Sequence, residues 1–156
     1  MKTLFLIRHA EAQDLFGLPD SFRGLTKRGN AQANEIGTLY PTLPPYWIVS
    51  PAVRTYATAH ILAAHQKQVP QIHLLPDLYM SNCNTYLDCL FTLPNEVDSA
   101  VLVGHNPSIS ELHYVLTKES LVFKKGCLTE IQFNSTDWVS LAQCMGNRIS
   151  LKVPTV

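Results

Sequence analysis

Two stretches of the chain are apolar without interruption, Leu4-Phe5-Leu6-Ile7 and Ala100-Val101-Leu102-Val103. Runs of this kind suit strands buried on both faces of a parallel sheet. Between them the pattern alternates in kind. Thr26 can cap a helix whose small and apolar positions Gly29, Ala33, Ile36, Gly37 and Tyr40 follow helical spacing, and Pro41, Pro44 and Pro45 end it. Tyr46 to Val49 reads as a short strand. Ser50-Pro51 then signals a helix start, with serine as cap and proline at the first helical position, for a helix running to about His65. A strand over Gln71 to Leu75, a loop over Pro76 to Asn84 and a short helix over Tyr86 to Phe91 come next. The strand Ser99 to Val103 leads into Gly104-His105-Asn106-Pro107, again a cap and a proline, opening a helix with Ile109, Leu112, Val115 and Leu116 on its core face. From Leu121 on, Cys127 to Phe133 and Trp138 to Gln143 read as strands joined by the turn Asn134-Ser135-Thr136-Asp137, and Ile149 to Val153 as an edge strand.

Alternation of strands and helices predicts an α/β fold. It is a three-layer α/β/α sandwich with a mostly parallel central sheet and an antiparallel addition near the C-terminus. The two continuous apolar strands are the natural central pair. At 156 residues the chain reads as one domain, 1–156, able to bury around 70% of its unfolded surface.

Composition narrows the function. Twelve basic and twelve acidic residues cancel, so no overall charge steers the chain to nucleic acid or to an anionic membrane, and any anion site must be local. The first apolar run is shorter than the ~7–15 residues of a signal peptide's apolar region. No stretch reaches the ~18 apolar residues of a spanning helix. A cytoplasmic protein with neither a nucleic-acid nor a membrane partner is expected. Cys83, Cys89, Cys127 and Cys144 are scattered without a CxxC pair, so neither a zinc site nor a disulfide framework is indicated.

The candidate chemistry sits at strand ends, where open α/β sheets form their ligand sites. Arg8 and His9 end the first strand and His105 the fourth, Arg54 falls in the first turn of the helix opened by Ser50-Pro51, and Arg23 closes the loop Ala12 to Phe22. Guanidinium forks and helix N-termini both favour phosphate. Nearby arginines also penalise protonation, which keeps a histidine below its free pKa of ~6.5 and leaves it a neutral nucleophile. A neutral imidazole facing a clamped phosphoryl group suits covalent catalysis through a phosphohistidine. No carboxylate cluster for magnesium and no cysteine cluster for zinc accompanies these residues, so no metal or other cofactor is expected. His60, His65, His73 and His113 read as ordinary surface or core residues. Phe16, Leu18 and Phe22 make the loop unusually apolar, as a docking surface for a protein partner would be.

RHA at Arg8 to Ala10, LTKRGNAQA at Leu25 to Ala33, SPAVRTYATA at Ser50 to Ala59 and VGHNP at Val103 to Pro107 resemble, in order, the four signatures of the histidine phosphatase superfamily, also called phosphoglycerate-mutase-like. The resemblance implies that His9 is the phosphorylated nucleophile, that Arg8 and Arg54 clamp the phosphate and that His105 is the second catalytic histidine. Arg23 matches a less regular basic position. Asp77, in Leu75-Pro76-Asp77-Leu78, stands where many relatives carry a glutamate proton donor. Within the superfamily, the short chain and RHA in place of RHG look most like SixA-type phosphohistidine phosphatases. That implies a phosphate-bearing substrate on a phosphohistidine-containing phosphotransfer protein. The alternatives are a phosphatase or mutase for small phosphate esters and a phosphate-binding docking module without turnover.

Overall fold

The computed structural model describes residues 1–156. Its centre is a six-stranded sheet built from β1 (Lys2–Arg8), β2 (Tyr46–Val49), β3 (Gln71–Leu74), β4 (Ser99–Gly104), β5 (Leu128–Phe133) and β6 (Asn147–Lys152), in the order β3-β2-β4-β1-β5-β6. The first four strands are mutually parallel, and β5 and β6 add on antiparallel. The helices are α1 (Lys27–Leu39), α2 (Val53–Ala64), α3 (Cys83–Phe91) and α4 (Ser108–Thr117). Successive residues of a strand face opposite sides of the sheet, so each continuous apolar run feeds two cores. Leu4, Leu6, Ala100 and Leu102 pack with Tyr86 and Leu90 of α3 and Ile109, Leu112 and Leu116 of α4. Ile7, Val101 and Val103 pack with Ala33 and Ile36 of α1 and Ala59 and Leu62 of α2 on the other face. This is the expected α/β/α sandwich with a mostly parallel sheet, and the two apolar strands are its central neighbours.

The pairing of β1 with β4 fixes where their two ends meet. Arg8 lies opposite Gly104 in the parallel register, and the His9 amide donates to the Gly104 carbonyl at 3.0 Å. The chain leaves β1 towards α1 on one face and leaves β4 towards α4 on the other. Their loops part here, opening a crevice at the carboxyl ends of the strands.

Several local readings differ from expectation. Trp138 to Gln143 is not a strand: Val139–Ala142 is a 3-10 turn, Asp137 Oδ1 accepts from the Ser140 amide at 2.8 Å, and Trp138 and Leu141 are both fully buried. Burying residues three apart needs a helical turn, which alternation cannot supply. The antiparallel addition therefore pairs β5 with β6, the segment expected as an edge strand. Ser50 and Asn106 are not helix caps. Helix α2 starts at Val53 and α4 at Ser108, and neither has a side-chain cap. Helix α3 begins at Cys83 because Asn82 accepts from the Asn84 and Thr85 amides. Thr26 does cap α1, accepting from the Gly29 amide at 2.9 Å. No helix is long and apolar enough to cross a membrane.

Candidate active site

One residue beyond the paired Arg8 and Gly104, the rings of His9 and His105 face each other with centroids 5.3 Å apart. Both line a cavity of about 250 Å³ together with Arg8, Arg23, Arg54 and Lys125. The structure thus brings together five of the residues singled out in the sequence and adds Lys125. The largest cavity, about 480 Å³, lies at the other end of the sheet among Pro45, Tyr46, Val97 and Ser99 and holds neither arginine nor histidine. Size alone does not locate the chemistry.

The tautomer of His9 is set by one contact. His9 Nδ1 lies 2.7 Å from the Ala10 carbonyl oxygen, which can only accept, so Nδ1 carries the proton. Burial pushes the His9 pKa down to about 3, against the opposing effect of the Ala10 hydrogen bond, and the charges of His105, Arg54 and Arg8 add to the shift. The ring is neutral at neutral pH and its lone pair sits on Nε2. Burial, aided by His105 and then by the arginines, keeps the imidazole unprotonated at Nε2. His105 behaves alike: burial first, then Arg54, lowers it to about 4, with Asp20 opposing. Its Nε2 is 2.7 Å from Ser50 Oγ, and its backbone amide is held by the buried Tyr86 hydroxyl at 3.3 Å. Ser50, fully buried, orients the second histidine from the end of β2.

Arg8 is anchored through Nη1 to the Phe123 carbonyl at 2.7 Å. Arg54 is buried in the first turn of α2 and gives Nη1 to the Asp20 carbonyl at 2.8 Å and Nη2 to Asp20 Oδ2 at 2.9 Å. Arg23 Nε donates to Asp20 Oδ1 at 3.0 Å, and the Tyr79 hydroxyl to Oδ2 at 2.8 Å. Asp20, exposed and outside the cavity lining, is therefore the carboxylate paired with two of the cavity's arginines. Its partial burial raises its pKa, but the hydrogen bonds from Arg23, Tyr79 and Arg54 outweigh that and hold it far below the usual carboxylate range. Asp77 is not brought to the cavity; it is exposed on the 3-10 turn Pro76–Leu78. Asp20 escaped sequence reading because nothing local distinguishes it from other loop aspartates, although its place three residues before Arg23 is a pairing distance.

Three nitrogens at the cavity, Nε of Arg8, Nε of Arg54 and Nδ1 of His105, are buried with no protein partner. Buried polar groups are as a rule paired, so these nitrogens keep unspent hydrogen-bonding capacity, as do His73, Ser81 and His113 elsewhere. A phosphoryl group here would meet an unprotonated nitrogen, two guanidinium groups and a second imidazole.

The family model of the histidine phosphatase superfamily (branch 1) matches residues 4–83. No curated protein matches the sequence. Among solved structures, a candidate phosphohistidine phosphatase SixA from Nakamurella multipartitia superposes with a TM-score of 0.87 at 23% identity, covering 99% of this chain and 97% of that one. The protein histidine phosphatase SixA complexed with tungstate gives 0.82 at 21% identity, covering 97% of each chain. A phosphoserine phosphatase from Entamoeba histolytica gives 0.69 at 18%, covering 99% and 98%. At these identities the likeness speaks to the fold.

Proposed function

This chain belongs to the histidine phosphatase superfamily, and from that premise we propose that it hydrolyses protein-borne phosphohistidine without a metal, through a phosphoryl group held on His9. The carrying observation is the Ala10 hydrogen bond, which puts the lone pair of a neutral imidazole on His9 Nε2 beside Arg8 and Arg54. In the first step Nε2 attacks phosphorus and the bond from phosphorus to the leaving nitrogen breaks, its electron pair returning to the departing imidazole. In the second, water attacks the phosphorus of phospho-His9, the P–N bond breaks, and phosphate and free His9 result. Arg8 and Arg54 offset the charge on the transferred oxygens, a task a metal performs in other phosphoryl transferases.

The choice of phosphohistidine over an ester rests on Asp20. It is the carboxylate paired with the cavity's Arg23 and Arg54 and is held ionised, so it has no proton to lend near neutral pH. An alkoxide leaving group needs such an acid, whereas an imidazole can leave already protonated. The exposed Phe16, Leu18 and Phe22 would meet the protein that carries the phosphohistidine. The test is turnover of a phosphorylated histidine-containing protein against a panel of alkyl phosphates, with chelator present, by wild type and by His9→Ala. The wild type should favour the phosphoprotein, keep its rate in chelator, and carry acid-labile phosphate on His9 when quenched; the variant should do none of this while remaining folded. Turnover by His9→Ala, or loss of wild-type activity restored by a divalent ion, would sink the reading.

A further inference from the structure

Two cavities share Arg8 and Lys125 in their linings. One is the catalytic cavity; the other is a cavity of about 370 Å³ lined by Arg8, Arg28, Lys124, Lys125, Glu11 and Gln32 and closed by the segment Val153 to Val156. Four of its side chains are cationic and one, Glu11, is anionic, in a chain whose net charge is zero. Glu11 accepts from the Thr26 hydroxyl at 2.9 Å and, among the cations, pairs with Arg28 at 3.6 Å. Lys124 and Lys125 are exposed and make neither an ion pair nor a side-chain hydrogen bond. Lys125 lines both cavities.

The two lysines are held firmly by the backbone beneath them. The Phe123 carbonyl accepts from Arg8 Nη1 at 2.7 Å and from Asn106 Nδ2 at 3.2 Å, and the Phe123 side chain is fully buried. The Cys127 amide donates to the Lys124 carbonyl at 3.0 Å, and the Gly126 amide to the His9 carbonyl at 3.0 Å. Gly126 sits at φ +73°, a conformation that side chains rarely adopt, so the turn that lifts Lys124 and Lys125 is tied to the catalytic strand end. Cations that satisfy no internal partner, carried on a fixed backbone turn and sharing lining residues with a phosphate site, are arranged for an external anion.

We propose that this basic cavity is a second, acidic-side-chain subsite: it receives carboxylates that flank the phosphohistidine on the substrate protein. The proposal rests on the phosphohistidine reading and adds the chemistry of the partner's surface. The cavity is too polar for an apolar segment, and its sharing of Arg8 and Lys125 with the catalytic cavity means that groups near the phosphohistidine in the partner reach it while the phosphoryl group lies against His9. Exposed charge pairs contribute modestly and are screened by salt, so the effect is a preference and not an all-or-none requirement.

The experiment uses two peptides that differ only in three glutamates or three glutamines beside the central residue. Each is made with phosphohistidine, to measure turnover, and with a non-hydrolysable phosphohistidine analogue, to measure binding by fluorescence anisotropy. Wild type should bind the glutamate analogue on the order of fivefold more tightly at low salt, with the difference shrinking as salt rises. The double variant Arg28→Gln with Lys124→Gln should bring the ratio close to one. Equal affinity for the two analogues in wild type, or an unchanged ratio in the double variant, overturns the subsite. If neither phosphohistidine peptide is turned over, the substrate reading fails separately, and the anisotropy ratio still decides the subsite.

Discussion

At the scale of single residues, Asp20 is the group whose removal says most. Its carboxylate and its own carbonyl together take both terminal nitrogens of Arg54, and it shares in Arg23 and Tyr79. It thus occupies one of the guanidinium groups of the proposed phosphate site. Replacing Asp20 with asparagine removes a negative charge from an anion site, so inorganic phosphate should inhibit the variant several-fold more strongly at a given concentration. The measurement is the inhibition constant of phosphate against a small aryl phosphate. A weaker inhibition by phosphate would show that the carboxylate is needed to orient Arg54 and that orientation outweighs charge. Arg8, His9, Arg54 and His105 were legible in the sequence because strand ends and helix starts leave local marks there, and the fold sets them around one cavity. Asp20, Ser50 and Lys125 enter the site through a loop folding back, a strand end and a turn, whose positions depend on contacts distant in sequence. Asp77 has a suggestive sequence position, but the 3-10 turn at Pro76–Leu78 leaves it exposed.

At the scale of elements, helix α1 docks through Gly29 against the segment just after β1. A side chain added there would run into the backbone carbonyl of Glu11, which also accepts from the Thr26 amide at 2.9 Å. Backbone cannot swing aside as a flexible side chain can. Gly29→Ala should therefore lose roughly 1–3 kcal/mol by overpacking, outweighing a helix-propensity gain of about 1 kcal/mol, with a lower urea midpoint as the readout. An increase in stability would mean that α1 can shift freely on the sheet. The loop over Ala12 to Phe22 should behave in the opposite way. Phe16 is fully exposed at 109%, and Leu18 and Phe22 are exposed too, so none of the three is part of a core. Changing Phe16 and Leu18 to serine should leave the melting temperature and aryl phosphate hydrolysis nearly unchanged while raising KM for a phosphorylated protein. Equal losses on both substrates would deny the loop a docking role. The parallel strands were legible as continuous apolar runs and the helices by their spacing, and the strands at Cys127 to Phe133 and Ile149 to Val153 were legible too, but the segment between those two was not. There the choice between a strand and a turn at Trp138 to Gln143 was decided by which residues reach the interior, since Trp138 Nε1 must find the Val97 carbonyl at 2.7 Å.

At the scale of the whole molecule, the site lies where the crossovers from β1 and β4 depart to opposite faces, and the sheet therefore sets a buried His9 beside a half-buried His105 at its centre line. That placement ties the stability of the fold to their charge. In the folded protein His9 and His105 bind protons only near pH 3 and pH 4, held down chiefly by burial, whereas in the unfolded chain both do so near ~6.5. Between these values the unfolded state binds more protons than the folded one, so stability falls as pH drops. The contribution is fully present above about pH 6.5 and is lost progressively down to the folded values. At ~1.4 kcal/mol per pH unit, the loss by pH 5 is at most about 2 kcal/mol for each histidine, a large share of the ~5–15 kcal/mol typical of a domain. Asp20 acts in a separate, lower window: its depressed carboxyl supports the fold above its unfolded value of ~3.9 and is lost only as pH falls below that. The urea midpoint should therefore decline steadily from pH 7 to pH 5 in the wild type. In a variant with glutamine at both positions 9 and 105 it should decline much less over that range, leaving the share of the buried His113, whose pKa is also lowered by burial. A flat midpoint in the wild type would mean that both rings are solvated enough to titrate as they do in the unfolded chain, and the neutral nucleophile on which the proposed chemistry depends would lose its physical basis.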